Sequence, residues 1–80
     1  MHYVYILRSL GHPEKIYIGY TVSIDSRLDV HNDGGSAYTA TYKPWILLSY
    51  ITFQEKSKAI VFEQYLKSGS GKAFIAKHVL

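Results

Sequence analysis

YVYILRSLGHPEKIYIGYT, residues 3–21, decides how the rest of the chain must be folded. Its first six residues alternate, with Tyr3, Tyr5 and Leu7 on one side and Val4, Ile6 and Arg8 on the other, which is the period of a β-strand. Leu10-Gly11-His12-Pro13-Glu14 interrupts the alternation with turn chemistry, and Lys15 to Tyr20 resumes it. The stretch therefore predicts a β-hairpin. Gly19 is the odd residue in it. A Gly within a strand pattern has no side chain to pack and marks a place where something comes close to the backbone.

Working outward, Ser23 is placed to cap a helix from about Ile24 to His31, and Asn32-Asp33-Gly34-Gly35 supplies its stop signal. A polar loop with Ser36, Tyr38, Thr39, Thr41, Tyr42 and Lys43 leads to Pro44. Trp45 to Phe53 is rich in aromatic and aliphatic residues and reads as a third strand, and Glu55 to Lys67 has helical periodicity. Gly69 is expected to end that helix and Ser70 to cap a last short one through His78. The predicted fold is α+β, a small antiparallel three-stranded sheet flanked by helices in the order β-β-α-β-α-α, with residues 1–80 forming one domain.

Composition narrows the function classes. At 80 residues there is room for one modest core. Hydrophobic residues make up 48% and charged residues 19%, a globular balance. The absence of Cys excludes disulfide frameworks, thiolate zinc sites and cysteine nucleophiles, and agrees with a reducing compartment. No apolar run approaches the roughly 20 residues that span a bilayer, and the N-terminus lacks signal-peptide features, so a cytoplasmic location is expected. The net charge of +3 and eight Tyr residues suit phosphate backbones and base stacking.

A helical wheel through Ile24 to His31 puts Ile24, Arg27, Leu28 and His31 in one arc, with Asp25 and Asp29 on the flank. Taken alone, Arg27 is a snorkelling side chain and His31 a cap or packed residue. Further on, Ala59, Phe62 and Leu66 form an apolar stripe with Glu63 at its edge. Its plain explanation is an i,i+4 pair with Lys67, and its functional one a metal ligand or acid-base group. Gly69-Ser70-Gly71-Lys72 lacks the spacing and preceding strand of a phosphate loop. The four His residues lack the spacing of a helical metal site.

Taken in order, Tyr3-Val4-Tyr5, Tyr17-Ile18-Gly19, Arg27, and then Ala59-x-x-x-Glu63 with Tyr65-Leu66-Lys67-Ser68-Gly69-Ser70-Gly71 resemble the GIY-YIG endonuclease superfamily, and its small stand-alone bacterial members most of all. The resemblance covers the whole chain. It implies a divalent-metal-dependent endonuclease acting on DNA phosphodiesters, in repair or recombination. Tyr5 and Tyr17 would be the motif tyrosines facing a shared cleft, Arg27 the family arginine, and Glu63 the single carboxylate holding one Mg2+ or Mn2+ ion. Tyr17 or His31 would orient or deprotonate water, and the bare backbone at Gly19 would admit a substrate phosphate or a packed helix. The first motif departs from the family pattern by opening on Tyr3 in place of Gly, and no Asn follows Glu63 at the position some homing endonucleases use.

The chemistry is sound from below. Hydrolysing an anionic diester calls for a positive clamp on the nonbridging oxygens, a cation to carry leaving-group charge and a group that activates water. Tyr38, Tyr42, Lys43, Lys67 and Lys72 are the candidates for base and backbone contacts, and a partner protein could supply specificity. The alternative is a nucleic-acid-binding accessory module that keeps the fold without cleaving.

Overall fold

The expected hairpin forms from β1 (His2–Ser9) and β2 (Ile16–Thr21), paired antiparallel with Tyr3 opposite Thr21 and Arg8 opposite Ile16. In this computed structural model, which describes residues 1–35 and 37–80, β3 (Trp45–Phe53) pairs antiparallel with the other side of β1. The sheet order is β2-β1-β3. Ser36, part of the expected polar loop, lies outside the described residues. Because β1 is central, Val4, Tyr5, Ile6 and Leu7 are all buried, and its alternation sends side chains into two different cores.

Helices cover both faces. Those helices are α1 (Ile24–Asn32), α2 (Ala37–Thr41), α3 (Lys56–Leu66) and α4 (Gly69–His78). The fold is α+β, and the elements expected from the sequence occur in the expected order. The five-residue α2 is additional, occupying the segment read as a polar loop. On one face Val4 and Ile6 pack with Ala59 and Leu66 of α3 and Ile75 of α4. On the other, Tyr5 and Leu7 join Trp45, with Tyr17, Ile24, Leu28 and Tyr42 against them. Burying a side chain such as Ile6 or Leu66 stabilises the fold by about 1.5–3 kcal/mol each.

Local signals account for most boundaries. Ser23 is the N-cap of α1, but its hydroxyl bonds Ser26 Oγ at 3.1 Å instead of a helix N–H. Its own N–H donates to Thr21 Oγ1 at 3.1 Å, which fixes the turn out of β2. After α1 the chain turns through Gly34, whose φ of +79° is the left-handed region that Gly occupies without strain. The junction between the last two helices corrects the expectation. The cap is Ser68, not Ser70, with its Oγ accepting the Gly71 N–H at 3.2 Å, while Gly69 and Ser70 lie inside α4. A cap at Ser68 puts Gly71 in the first turn of α4, against the Tyr65 carbonyl and the Leu66 backbone, where a Cβ would have no space. Close approach of two helix ends is what Gly71 serves, whereas a Cβ at Gly69 would meet open space.

Candidate active site

Tyr5 leaves the central strand on the face covered by α1 and α2 and leans across its cross-strand partner, Gly19. A Cβ at Gly19 would overlap the Tyr5 hydroxyl and ring. Gly19 is itself buried. What approaches the bare backbone of β2 is thus this chain's own phenol. The expectation that a phosphate or a helix would come to rest there gives way to a packing role: Gly19 sets the tilt of Tyr5.

The phenol then meets His31, the last apolar-side residue of α1. Tyr5 Oη and His31 Nε2 are 2.9 Å apart, and His31 Nδ1 is 2.9 Å from Thr39 Oγ1 on α2. His31 and Thr39 are both 0% exposed. The imidazole therefore has both nitrogens committed inside the protein and no route to bulk water. Of the two residues considered for activating water, His31 is enclosed, whereas Tyr17 is half-buried at the rim with its ring centroid 4.7 Å from that of His31.

Electrostatics tie four elements to this point. Burial pushes the Tyr5 phenol above the ordinary tyrosine range, Arg27 pulls it back through side-chain hydrogen bonding and charge, and Tyr17 and Glu63 push it up. Burial pushes the His31 imidazole below its usual range, and the nearby Arg27 charge adds to that shift. Both residues are accordingly neutral at pH 7. Tyr17 of β2, Arg27 of α1 and Glu63 of α3 thus all act electrostatically on Tyr5 of β1. Glu63 is also paired with Lys67, Nζ to Oε2 3.7 Å, with the carboxylate side chain 19% exposed and the ammonium side chain 53% exposed. Such a pair contributes about 0.3–0.5 kcal/mol, which does not explain why a carboxylate stands at the edge of a core.

From Tyr17 a groove of about 340 Å³ runs along β2, lined by Ile16, Ile18, Tyr38, Lys67 and Lys72. Three of the side chains singled out for nucleic-acid contact, Tyr38, Lys67 and Lys72, come together there. The other two do not line it. Tyr42 is half-buried among the rings of His12 (centroids 5.1 Å) and Tyr38 (5.4 Å), with Lys15 Nζ over its face at 5.2 Å. Lys43 lies exposed beside Gly34, after α1.

Among the described residues no three His, Asp or Glu side chains converge into a metal cage. Among Tyr5, Tyr17, Arg27 and Glu63, Glu63 supplies the one carboxylate. That donor set fits a hard cation such as Mg2+, which keeps several waters and takes one or two carboxylates together with substrate phosphates. Thr39 is the site-side residue that sequence reasoning missed. It sits eight positions after His31 in a stretch without periodicity, so no pattern in the sequence marks it.

Comparison with known proteins agrees with this fold. The family profile described as the GIY-YIG catalytic domain matches residues 1–76. A UPF0213 protein of Staphylococcus haemolyticus is 37% identical over 70 residues, covering 86% of this chain and 83% of that protein. One from Oceanobacillus iheyensis is 39% identical over 67 residues, covering 82% and 76%. The solution NMR structure of a UPF0213 protein from Bacillus halodurans superposes with a TM-score of 0.56 at 33% identity, covering 95% of this chain and 82% of that one.

Proposed function

Because the chain belongs to the GIY-YIG family, a nuclease superfamily, we propose that it is an endonuclease hydrolysing DNA phosphodiester bonds with one Mg2+ or Mn2+ ion held by Glu63. The observation that carries this reading is that Tyr17, Arg27 and Glu63, from three separate elements, all act electrostatically on Tyr5, while Tyr17 also lines a groove bearing Tyr38, Lys67 and Lys72. A surface that only binds nucleic acid has no use for a carboxylate facing phosphates.

Each side chain then has a role that its environment suits. Arg27 clamps nonbridging oxygens of the scissile phosphate, since a guanidinium carries its charge at every relevant pH. Tyr17 orients the attacking water, because its hydroxyl-bearing ring lines the groove while His31 is enclosed. Tyr5 remains a neutral phenol, as its raised pKa requires, within reach of the Arg27 charge. A cation on Glu63 supplies neutralisation of the charge that develops on the leaving oxygen. Lys67 and Lys72 receive the flanking backbone and Tyr38 a base face.

The test isolates Glu63. Replacing it by Gln keeps shape while removing the charge that holds the cation, so cleavage of a panel of nicked, branched and single-stranded DNA with magnesium or manganese should fall by about a hundredfold or more. Binding to the same panel should persist, and a chelator should silence the wild type. If the wild type binds these DNAs and cleaves none of them, the chain is an accessory binding module. Cleavage left intact by Glu63→Gln would move the site elsewhere.

A further inference from the structure

The buried contacts behind Tyr5 form a chain whose far end is fixed. Thr39 is anchored by its backbone, its carbonyl accepting the Trp45 indole N–H at 2.8 Å and the Tyr42 N–H at 3.3 Å. Trp45, 2% exposed, is itself held to α1, its backbone N–H donating to Asn32 Oδ1 at 2.6 Å and its carbonyl accepting Asn32 Nδ2–H at 3.2 Å. The end of α1, α2 and the start of β3 are thereby locked together. The Thr39 hydroxyl is a fixed point within that lock, and water does not compete for the bonds it makes.

We propose that Thr39 is a positioning residue: through His31 it fixes the direction in which the Tyr5 phenol hydrogen-bonds. The proposal rests on the nuclease reading only for its consequence in catalysis. A neutral imidazole has one N–H and one acceptor nitrogen, so a hydroxyl on each side forces the chain to run one way or the other. A phenol O–H is a stronger donor than a neutral imidazole N–H, and an imidazole nitrogen a stronger acceptor than a phenol oxygen, so the Tyr5 O–H faces His31 Nε2. His31 Nδ1–H then donates to Thr39 Oγ1. The order is Tyr5 to His31 to Thr39, which commits the phenol proton to His31 and leaves the phenol oxygen as an acceptor.

Imidazole nitrogen shifts in uniformly 15N-labelled protein at pH 7 read this directly, without DNA or metal. The wild type should show His31 as a single Nδ1–H tautomer. Thr39→Val keeps the shape and removes the acceptor, so His31 should pass to the Nε2–H tautomer or to a mixture. In the cleavage assay kcat should fall about tenfold to a hundredfold, the usual scale for a residue that orients a functional group, with KM little changed. Thr39→Ser should restore both readouts. A wild type holding the Nε2–H tautomer overturns the proposed direction, and this measurement stands even if the Val variant does not fold. A folded Thr39→Val with an unchanged tautomer and kcat overturns the role of Thr39. Wild type that shows the Nδ1–H tautomer and its loss in the Val variant, but cleaves no DNA, leaves the tether standing and removes the nuclease reading.

Discussion

The two faces of the sheet are built from alternate residues of the same strand and are held by different physics. Val4 and Ile6 meet Ala59, Leu66 and Ile75, a contact made only of apolar atoms. Tyr5 and Leu7 meet Trp45, and behind them stand the fully buried His31 and Thr39. Dispersion and hydrophobic burial are non-directional, so the first face determines how strongly α3 and α4 are held but only loosely what any one atom points at. Hydrogen bonds are directional and leaving one unmade inside is costly. Among the described residues no buried side-chain nitrogen or oxygen lacks a partner. Stability is concentrated on the apolar face, and orientation on the face that carries Tyr5.

One glycine on each side tests that division. Gly71→Ala drives a Cβ into the Tyr65 carbonyl and the Leu66 backbone, atoms that move only if α4 separates from α3. We expect a loss of about 3 kcal/mol or more, at the upper end of overpacking costs, seen as a large fall in the thermal or urea midpoint. Gly19→Ala meets a side chain instead, the Tyr5 phenol, which can swing. Its stability cost should be smaller, about 1–3 kcal/mol, while cleavage falls with the displaced phenol even where the protein is fully folded. A Gly19→Ala variant that is as unstable as Gly71→Ala, or one that cleaves normally, would break the contrast between the faces.

The apolar face was the more legible in the sequence. Alternation in residues 3–8 and the Ala59, Phe62, Leu66 stripe announce burial directly, because period and hydrophobicity are what non-directional packing requires. The polar face left fainter marks. The family resemblance picks out Tyr5, Tyr17, Arg27 and Glu63, the last three of which act electrostatically on Tyr5, yet enclosure of His31 depends on α2, whose five residues Ala37–Thr41 carry no helical pattern. A Thr whose value lies in the direction of one hydroxyl looks like any other loop Thr. Gly19 was visible as an anomaly, but its cause is a residue fourteen positions earlier, across a strand register that the sequence does not print. At the helix junction, Ser68 and Ser70 are equally good caps by residue type. The close approach of Gly71 to the end of α3 distinguishes them.

The smallest expected effect is a pH dependence confined to the polar face. His31 is packed against Tyr5 of β1, Tyr17 of β2 and Thr39 of α2, and the charge of Arg27, from its own helix, lies close by. Burial and that arginine lower its pKa in the folded state, so protonation favours the unfolded chain. The stability that neutral His31 contributes is fully present above the unfolded value of about 6.5 and is lost as pH falls below it toward the folded pKa. Tyr5 works in the opposite sense. Its raised pKa means a contribution that is present below about 10, the unfolded value, and lost as pH rises further. Urea midpoints measured from pH 8 down to about 5, above the range where carboxylates titrate, should decline for the wild type. His31→Gln retains polar atoms without the ionisation, so its curve should lie lower at pH 8 and run flatter across the same interval. Parallel curves would mean that His31 is protonated in the folded state without penalty, and the polar face would then be open to water like an ordinary surface.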